Sequence, residues 1–326
     1  MSEHVLLTGG AGYVGSHTAK ALAENGYRPV VLDSLVLGHA AAVKWGPLVV
    51  ADIAEREAVQ ETIRAHRIRV LLHFAAFTAV AESVAQPLKY FLNNVAKSVA
   101  LVEAAFVAGV RHVVFSSSAA IYGAPERMPI PENHPAHPLN PYGRSKLMVE
   151  EMLTACSVHG LSHVSLRYFN AAGADPEGAI GERHEPETHL IPLAIETALG
   201  RREYLDVFGT DYPTRDGTAV RDYIHVSDLA EAHLAAAKHL IDGGGSVSLN
   251  VGTGQGHTVR EVVRAVESEA GQPLKLRVAG RRAGDPPALV ADPAAIGRTL
   301  NWRPRHSSLE EIVRTAFRWH ARSAAG

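Results

Sequence analysis

The apolar run 4–8 ends directly in Thr8-Gly9-Gly10-Ala11-Gly12-Tyr13-Val14-Gly15, and a helical pattern begins at Tyr13. A strand that turns into a helix through glycines spaced G-x-x-G-x-x-G gains three things. The turn can be tight, the backbone can approach a ligand closely, and the helix can pack close to the strand. The helix start also offers unpaired N–H groups and a partial positive charge, which suit a phosphate. Taken alone, such a turn is as often an ordinary connection. Asp33 adds context: it ends a second apolar run, 28–33, eighteen residues after Gly15. That is close to the spacing of the acid that accepts hydrogen bonds from an adenosine ribose. A lone Asp could simply start a turn, but strand, glycine loop, helix, strand and acid in this order point to a bound dinucleotide. A carboxylate would repel a 2′-phosphate, so NAD is favoured over NADP. Asp52 and Ile53, after a third apolar run, would then flank the adenine.

The rest of the first half keeps this rhythm. Candidate strands lie at 4–8, 28–33, 47–51, 70–74, 112–116 and 163–167, and helical patterns at 13–25, 55–66, 88–108 and 142–159. The strands are almost wholly apolar instead of alternating, as expected where helices cover both faces of a parallel sheet. Beyond about residue 170 glycine and proline punctuate the chain, and helical patterns resume at 190–199, 227–241, 258–270 and 308–320. The expected fold is α/β: a Rossmann-type, doubly wound parallel sheet in 1–170 and a smaller mixed α/β substrate lobe in 171–326. Segments around 223–252 are expected to return to the first unit.

Composition narrows the function. The 326 residues include 32 Lys plus Arg and 34 Asp plus Glu, a formal charge of −2. That balance provides no electrostatic footprint for nucleic acid or an acidic membrane. Cys156 is the single cysteine, which excludes a disulfide framework and a Cys-rich zinc site. The start, Met1-Ser2-Glu3-His4, does not read as a signal peptide, and the apolar stretch 99–115 carries Glu103, Arg111 and His112. A soluble, cytoplasmic protein is expected.

Chemistry concentrates in two further segments. The fifth strand runs into Ser116-Ser117-Ser118-Ala119-Ala120-Ile121-Tyr122-Gly123, and Asn140-Pro141-Tyr142-Gly143-Arg144-Ser145-Lys146 opens a helix. Tyr142 and Lys146, four apart, share one helical face. An ammonium beside a phenol favours the phenolate and would bring its pKa down from about 10. Such a Tyr could exchange a proton with a sugar hydroxyl, with Ser118 holding the same oxygen. A Tyr-x-x-x-Lys pair is common by chance. Its weight comes from position, since all these segments fall at the carboxyl ends of strands, where open α/β sheets bind ligands. His17, His73 and His225 show no metal-ligand spacing and read as structural, and no metal is expected.

These segments carry a resemblance. Gly9–His17, His73-Phe74-Ala75-Ala76, Ser116–Gly123, Tyr142–Lys146 and Arg167-Tyr168-Phe169-Asn170 resemble the extended short-chain dehydrogenases/reductases. Pro186–Pro192, Gly209–Thr214, Val220-Arg221-Asp222-Tyr223-Ile224-His225 and Arg281–Asp285 resemble, more narrowly, the UDP-glucose 4-epimerases within them. The likeness spans about residues 4–320. It implies NAD-dependent inversion at C4 of a UDP-hexose through a transient 4-keto sugar. The implied catalytic residues are Tyr142, Lys146 and Ser118. The implied NAD shell is Gly9, Gly12, Tyr13, Val14, Gly15, Asp33, Ser34, Asp52, Ile53, Phe74, Ala75, Ala76, Asn93, Ser116, Tyr168 and Phe169, together with Tyr142 and Lys146. On the sugar-nucleotide side it implies Ser118, Asn170, His189, Leu190, Val207, Phe208, Arg221, Arg282, Asp285 and Leu289. Two arginines suit a diphosphate, which accepts bidentate guanidinium hydrogen bonds. Thr78, Ala120 and Leu289 depart from or vary within the family pattern, which weakens substrate identity more than reaction type. A UDP-pentose 4-epimerase stays open as the nearest alternative. A sugar-nucleotide 4,6-dehydratase is disfavoured by Ala119-Ala120, where those enzymes commonly carry an acid pair. An NAD-sensing regulator is disfavoured because Tyr142 and Lys146 are both present. A homodimer is expected through the helices at 88–108 and 142–159, which are more apolar than one packed face needs.

Overall fold

The computed structural model describes residues 3–282 and 285–322. The strands are β1 (His4–Thr8), β2 (Arg28–Asp33), β3 (Leu48–Val50), β4 (Val70–His73), β5 (His112–Ser116), β6 (Ser162–Tyr168), β7 (Asn170–Ala172), β8 (Leu205–Phe208), β9 (Val220–His225), β10 (Val247–Val251), β11 (Gly256–Thr258), β12 (Leu276–Ala279) and β13 (Ala288–Leu289). Seven of them form one sheet in the order β3-β2-β1-β4-β5-β6-β10, every neighbouring pair parallel. This is the Rossmann-type order with a seventh strand added, and the order reverses between β1 and β4. The crevice at that reversal is bordered by Thr8 and His73, which are register partners.

Alternation along the strands explains their apolar runs. Val5 and Leu7 pack on one face, against α1 (Tyr13–Glu24) and α8 (Val226–Ile241), through Leu22, Leu229 and Ala236. Leu6 and Leu71 point the other way, toward Val59 and Ile63 of α2 (Arg56–His66), Leu101 of α5 (Lys97–Val107) and Val149 of α6 (Pro141–Cys156). Covering both faces removes the polar side that a half-exposed strand would show.

The helix expected at 88–108 is not uniform. It starts as α4 (Pro87–Tyr90), widens into a π-helical turn at Phe91–Ala96, and continues as α5. The short helix α3 (Val80–Ala85) precedes it and had no clear sequence signal. Further on, β9 lies between β11 and β13 and also pairs with β7, while β8 pairs with β12. The helices α7 (Leu190–Ala198), α9 (Val259–Ala270) and α11 (Leu309–Arg322) share a separate apolar core that includes Ile191, Ile195, Val262, Val266 and Ile312. A short α10 (Ala294–Leu300) packs Ile296 back onto the first core. Among the described residues no helix is long and apolar enough to cross a membrane.

Candidate active site

The glycine loop shows which of its glycines the protein itself requires. Gly9 has φ +75°, and a Cβ there would lie 2.5 Å from the Ala75 nitrogen, so β1 and the end of β4 touch through it. A Cβ on Gly15 would lie 2.4 Å from the Gly9 carbonyl oxygen, so this glycine lets α1 sit on the loop. Gly12 differs: a Cβ would meet only the Gly9 oxygen, at 3.3 Å, so neighbouring protein atoms leave room beside it. Gly12 is also the N-cap of α1 and has no side chain to satisfy the first-turn N–H groups. An uncapped helix start behind an open glycine fits a dinucleotide pyrophosphate.

The other expected cofactor residues lie at the start of α1, at or just after the ends of β2, β3, β4 and β6, and in the π-helical turn. Asp33 is buried at the end of β2, its Oδ2 accepting the Ala11 N–H at 3.0 Å and its Oδ1 the Leu35 N–H at 2.8 Å. Ser34, next to it, is exposed. Tyr13 donates from its hydroxyl to the Gly173 carbonyl at 2.6 Å, tying α1 to the chain beyond β7. Asp52 pairs with Lys97 at the start of α5. Val14, Phe74, Ala75, Phe169 and Ile53 pack their side chains against or within the apolar cores, so any polar contact from them must come from backbone. Ala76 follows in the partly buried turn after β4, and Asn93 sits in the π-helical turn and donates to the Asn94 carboxamide oxygen at 3.1 Å.

The catalytic candidates converge where β5 ends. Asn140 caps α6 by accepting the Gly143 N–H at 2.8 Å, and Pro141 takes the first helical position. Gly143 lets this first turn contact the segment after β5, since a Cβ would lie 2.5 Å from the Ala120 carbonyl oxygen. Lys146 is buried and donates to the Ser116 carbonyl at 2.8 Å, its Nζ 5.9 Å from the centre of the Tyr142 ring. Ser118 caps the short turn Ala119–Tyr122 by accepting the Ala120 N–H at 3.1 Å, and it lies close enough to the Tyr142 phenol to lower its pKa. The Ser116 hydroxyl donates to Tyr168 Oη at 3.0 Å.

Burial, with help from the Tyr168 phenol, pushes the Tyr142 phenol well above its ordinary pKa, and the nearby Ser118 hydroxyl opposes this. Burial also brings Lys146 down to about 7, against the pull of the Glu150 carboxylate. Enclosure disfavours the charged form of both groups.

Beyond β7, Arg282 lies over the Phe208 ring, 4.0 Å from its centre. Arg221 pairs with Asp285 and stands opposite Leu289 in the β9–β13 register. Asn170 faces Tyr223, two residues along the same strand from Arg221. His189 and Leu190 form the cap and first residue of α7. Val207 alternates with Phe208 and is buried, so the two side chains point to opposite faces of β8 and only Phe208 lies beneath Arg282.

Sequence reasoning passed over three groups. Glu150, one turn beyond Lys146, is held by Arg167. Asn94 is buried beside α6. Glu182, His184 and Glu187 gather around His189, although their spacing matches no familiar ligand pattern. Only Glu150 had a local signal, its position on the Lys146 face of the helix. His73 bridges Thr8 and Ser98 at 2.8 and 2.9 Å, and His225 contacts Thr315 at 3.0 Å and accepts the Ser227 N–H.

Comparison with known proteins shows the family. The sequence profile of the NAD dependent epimerase/dehydratase family matches residues 5–252. A UDP-glucose 4-epimerase of Rhizobium leguminosarum bv. trifolii is 51% identical over 322 residues, covering 98% of each chain. The crystal structure of a UDP-glucose 4-epimerase from Brucella ovis in complex with NAD superposes with a TM-score of 0.95 at 48% identity, covering 97% of this chain and 98% of that one. A UDP-glucose-4-epimerase from Stenotrophomonas maltophila with bound NAD and formylated UDP-arabinopyranose gives 0.96 at 41% identity, covering 99% and 100%. The chain belongs to the NAD dependent epimerase/dehydratase family and, among the extended short-chain dehydrogenases/reductases, to the UDP-glucose 4-epimerases.

Proposed function

We propose that the protein inverts C4 of a UDP-hexose, interconverting UDP-glucose and UDP-galactose, with NAD held throughout the cycle. The observation that carries this reading is the meeting of Ser118, Tyr142 and Lys146 at the carboxyl edge of a sheet whose glycine loop leaves room at Gly12. NAD, when bound, supplies reversible acceptance of the C4 hydride, so that the sugar passes through a 4-keto form with no net oxidation. Tyr142 takes the proton of the 4-hydroxyl and later returns it, while Ser118 holds the same oxygen. Lys146, anchored on the Ser116 carbonyl, offsets the phenolate charge that burial disfavours. Gly12, the start of α1 and Asp33 would hold the pyrophosphate and adenosine ribose. Arg221 and Arg282 would grip the substrate diphosphate, and Phe208 supports Arg282 from beneath. Residues 1–170, joined by α8 and β10, form the cofactor lobe in this reading, and the remainder forms the substrate lobe.

A UDP-pentose reading has one specific support, the formylated UDP-arabinopyranose bound by the Stenotrophomonas maltophila relative. Incubating the purified protein with UDP-galactose, and separately with UDP-arabinose, while following both epimers distinguishes the two. Conversion of UDP-galactose at the higher specificity constant is expected, and conversion of UDP-arabinose alone would replace the hexose reading.

The same reading includes a homodimer and a cytoplasmic setting. Leu88, Leu92 and Val99 are exposed along the α4–α5 segment, and Met148 is exposed on α6. A second copy pairing these helices would bury that apolar surface. Light scattering should give twice the chain mass, and a concentration-independent monomer would remove the dimer. A reducing compartment suits the lone, half-buried Cys156.

A further inference from the structure

We propose that Asn250 is a positioning residue of the active site: its buried carboxamide holds the turn that carries Ser118 to a fixed point beside β13. Asn250 lies in β10 and is fully buried. Its Oδ1 accepts the Tyr122 hydroxyl at 2.7 Å, and its Nδ2 donates to the Ile130 carbonyl at 2.8 Å. Its backbone N–H donates to Glu132 Oε1 at 2.9 Å. The amide has one orientation, because the reverse would set its oxygen against the Ile130 carbonyl oxygen.

The far end of this bridge is anchored. The Ile130 N–H donates to the Val290 carbonyl at 2.8 Å, and the Ile130 carbonyl also accepts the Asp292 N–H at 2.9 Å. Ile130 is thereby locked to the chain just beyond Leu289. The near end is the turn itself. Tyr122 closes the short turn Ala119–Tyr122, and Ser118 caps its start through the Ala120 N–H at 3.1 Å. The Tyr122 ring is buried with Ala119, Ile121, Ile130 and Ala291, and its hydroxyl also accepts an Arg167 Nη1–H at 3.0 Å.

Apolar packing is non-directional, whereas the bond from the Tyr122 hydroxyl to Asn250 fixes how deep the ring sits, and with it where the turn places Ser118. A buried amide without partners is costly, but one bonded at both ends specifies a single arrangement. Asn250 acts through Tyr122 and Ser118, so its role is to position and not to react. The inference rests on the reading that Ser118 holds the 4-hydroxyl oxygen.

The test is whether Asn250 works through Ser118. Asn250→Leu keeps the branched shape and removes both side-chain bonds. Tyr122→Phe cuts the same bond from its other end and keeps the ring in the core, so the test does not depend on one variant folding. For each, kcat with UDP-galactose, counted per bound NAD, is measured in the unmodified protein and in Ser118→Ala. A loss of at least about 10-fold is expected in the unmodified background and of less than about 2-fold in Ser118→Ala. Equal losses in both backgrounds would mark a general structural effect and overturn the proposal, as would no loss in the unmodified background. A crystal structure of either variant provides a readout without substrate: Ser118 Oγ should have left the Ala120 N–H, and an unmoved Ser118 overturns the positioning role. If the unmodified protein leaves UDP-galactose untouched, the reaction reading fails, and the displacement of Ser118 still decides the positioning role.

Discussion

Asn94 holds both backbone polar groups of Phe77: its carboxamide oxygen accepts the Phe77 N–H and its amide nitrogen donates to the Phe77 carbonyl, each at 2.9 Å. The same amide reaches Ser145 Oγ at 3.2 Å, and that hydroxyl donates to the Tyr142 carbonyl at 2.7 Å. The turn after β4 is thereby fastened to the helix that carries Tyr142 and Lys146. The π-helical turn Phe91–Ala96 contains Asn94 and presents it inward, a use often made of such extra-residue turns.

Asn94→Ala should therefore affect both stability and turnover. Unpaired groups at Phe77 cost about 1–3 kcal/mol each when desolvated, and small misplacements near reacting atoms can cost on the order of 10²-fold in rate. A lower urea midpoint and a reduced kcat are expected. A variant that unfolds at the wild-type midpoint would show that Asn94 is no clamp.

Glu150 and Arg167 form a buried pair behind the catalytic helix, with Arg167 Nε 3.1 Å from both carboxylate oxygens and a terminal nitrogen 2.6 Å from Oε2. Glu150→Gln strands the guanidinium charge and should destabilise by about 3–5 kcal/mol. It also removes the charge that holds Lys146 up, so the alkaline limb of activity should move to lower pH. Denaturant melts and a pH–rate profile test both, and an unshifted profile would separate Glu150 from Lys146.

Tyr142→Phe should lower turnover by roughly 10²- to 10⁴-fold while NAD stays bound. Stopped assays report turnover, and mass analysis of nucleotide released by denaturation reports the cofactor. Near-normal turnover in the purified variant would exclude Tyr142 as the proton carrier.

Four buried histidines predict acid sensitivity. Burial brings His17, His225 and His233 down to about 4, and His73 to about 3. In the unfolded chain each titrates near its ordinary value of about 6.5. Below that pH the unfolded state binds more protons, so this stability is complete above about pH 6.5 and is lost as pH falls toward about 4. Calorimetry across that window should show Tm falling steadily. A Tm that stays level would mean these histidines are not linked to folding.

Leu289 faces Arg221 in the register and offers bulk without a hydrogen bond. An N-acetyl group added to the sugar would overfill a closely packed site. The protein should prefer UDP-galactose to UDP-N-acetylgalactosamine by about 10- to 200-fold, and Leu289→Gly should narrow the gap. Equal specificity constants in the unmodified protein would show that Leu289 does not set sugar size.

What the sequence alone determined is what local pattern encodes. The bounds of β1, β2 and β5 follow from unbroken apolar runs, and α6 from Asn140-Pro141 followed by a four-residue Tyr–Lys interval. These signals depend on neighbours in the chain, so they survive without the fold. The π-helical turn does not announce itself, because one extra residue barely disturbs a helical hydrophobic pattern while it redirects Asn94. That Lys146 lies near Tyr142 can be read from spacing, whereas enclosure of the phenol depends on what distant segments bring over it. The meeting of Arg221 with Asp285, and of Arg282 with Phe208, spans dozens of residues and depends on how short strands pair. Only tertiary packing supplied those distances, and only tertiary packing folded Glu182, His184, Glu187 and His189 into one cluster.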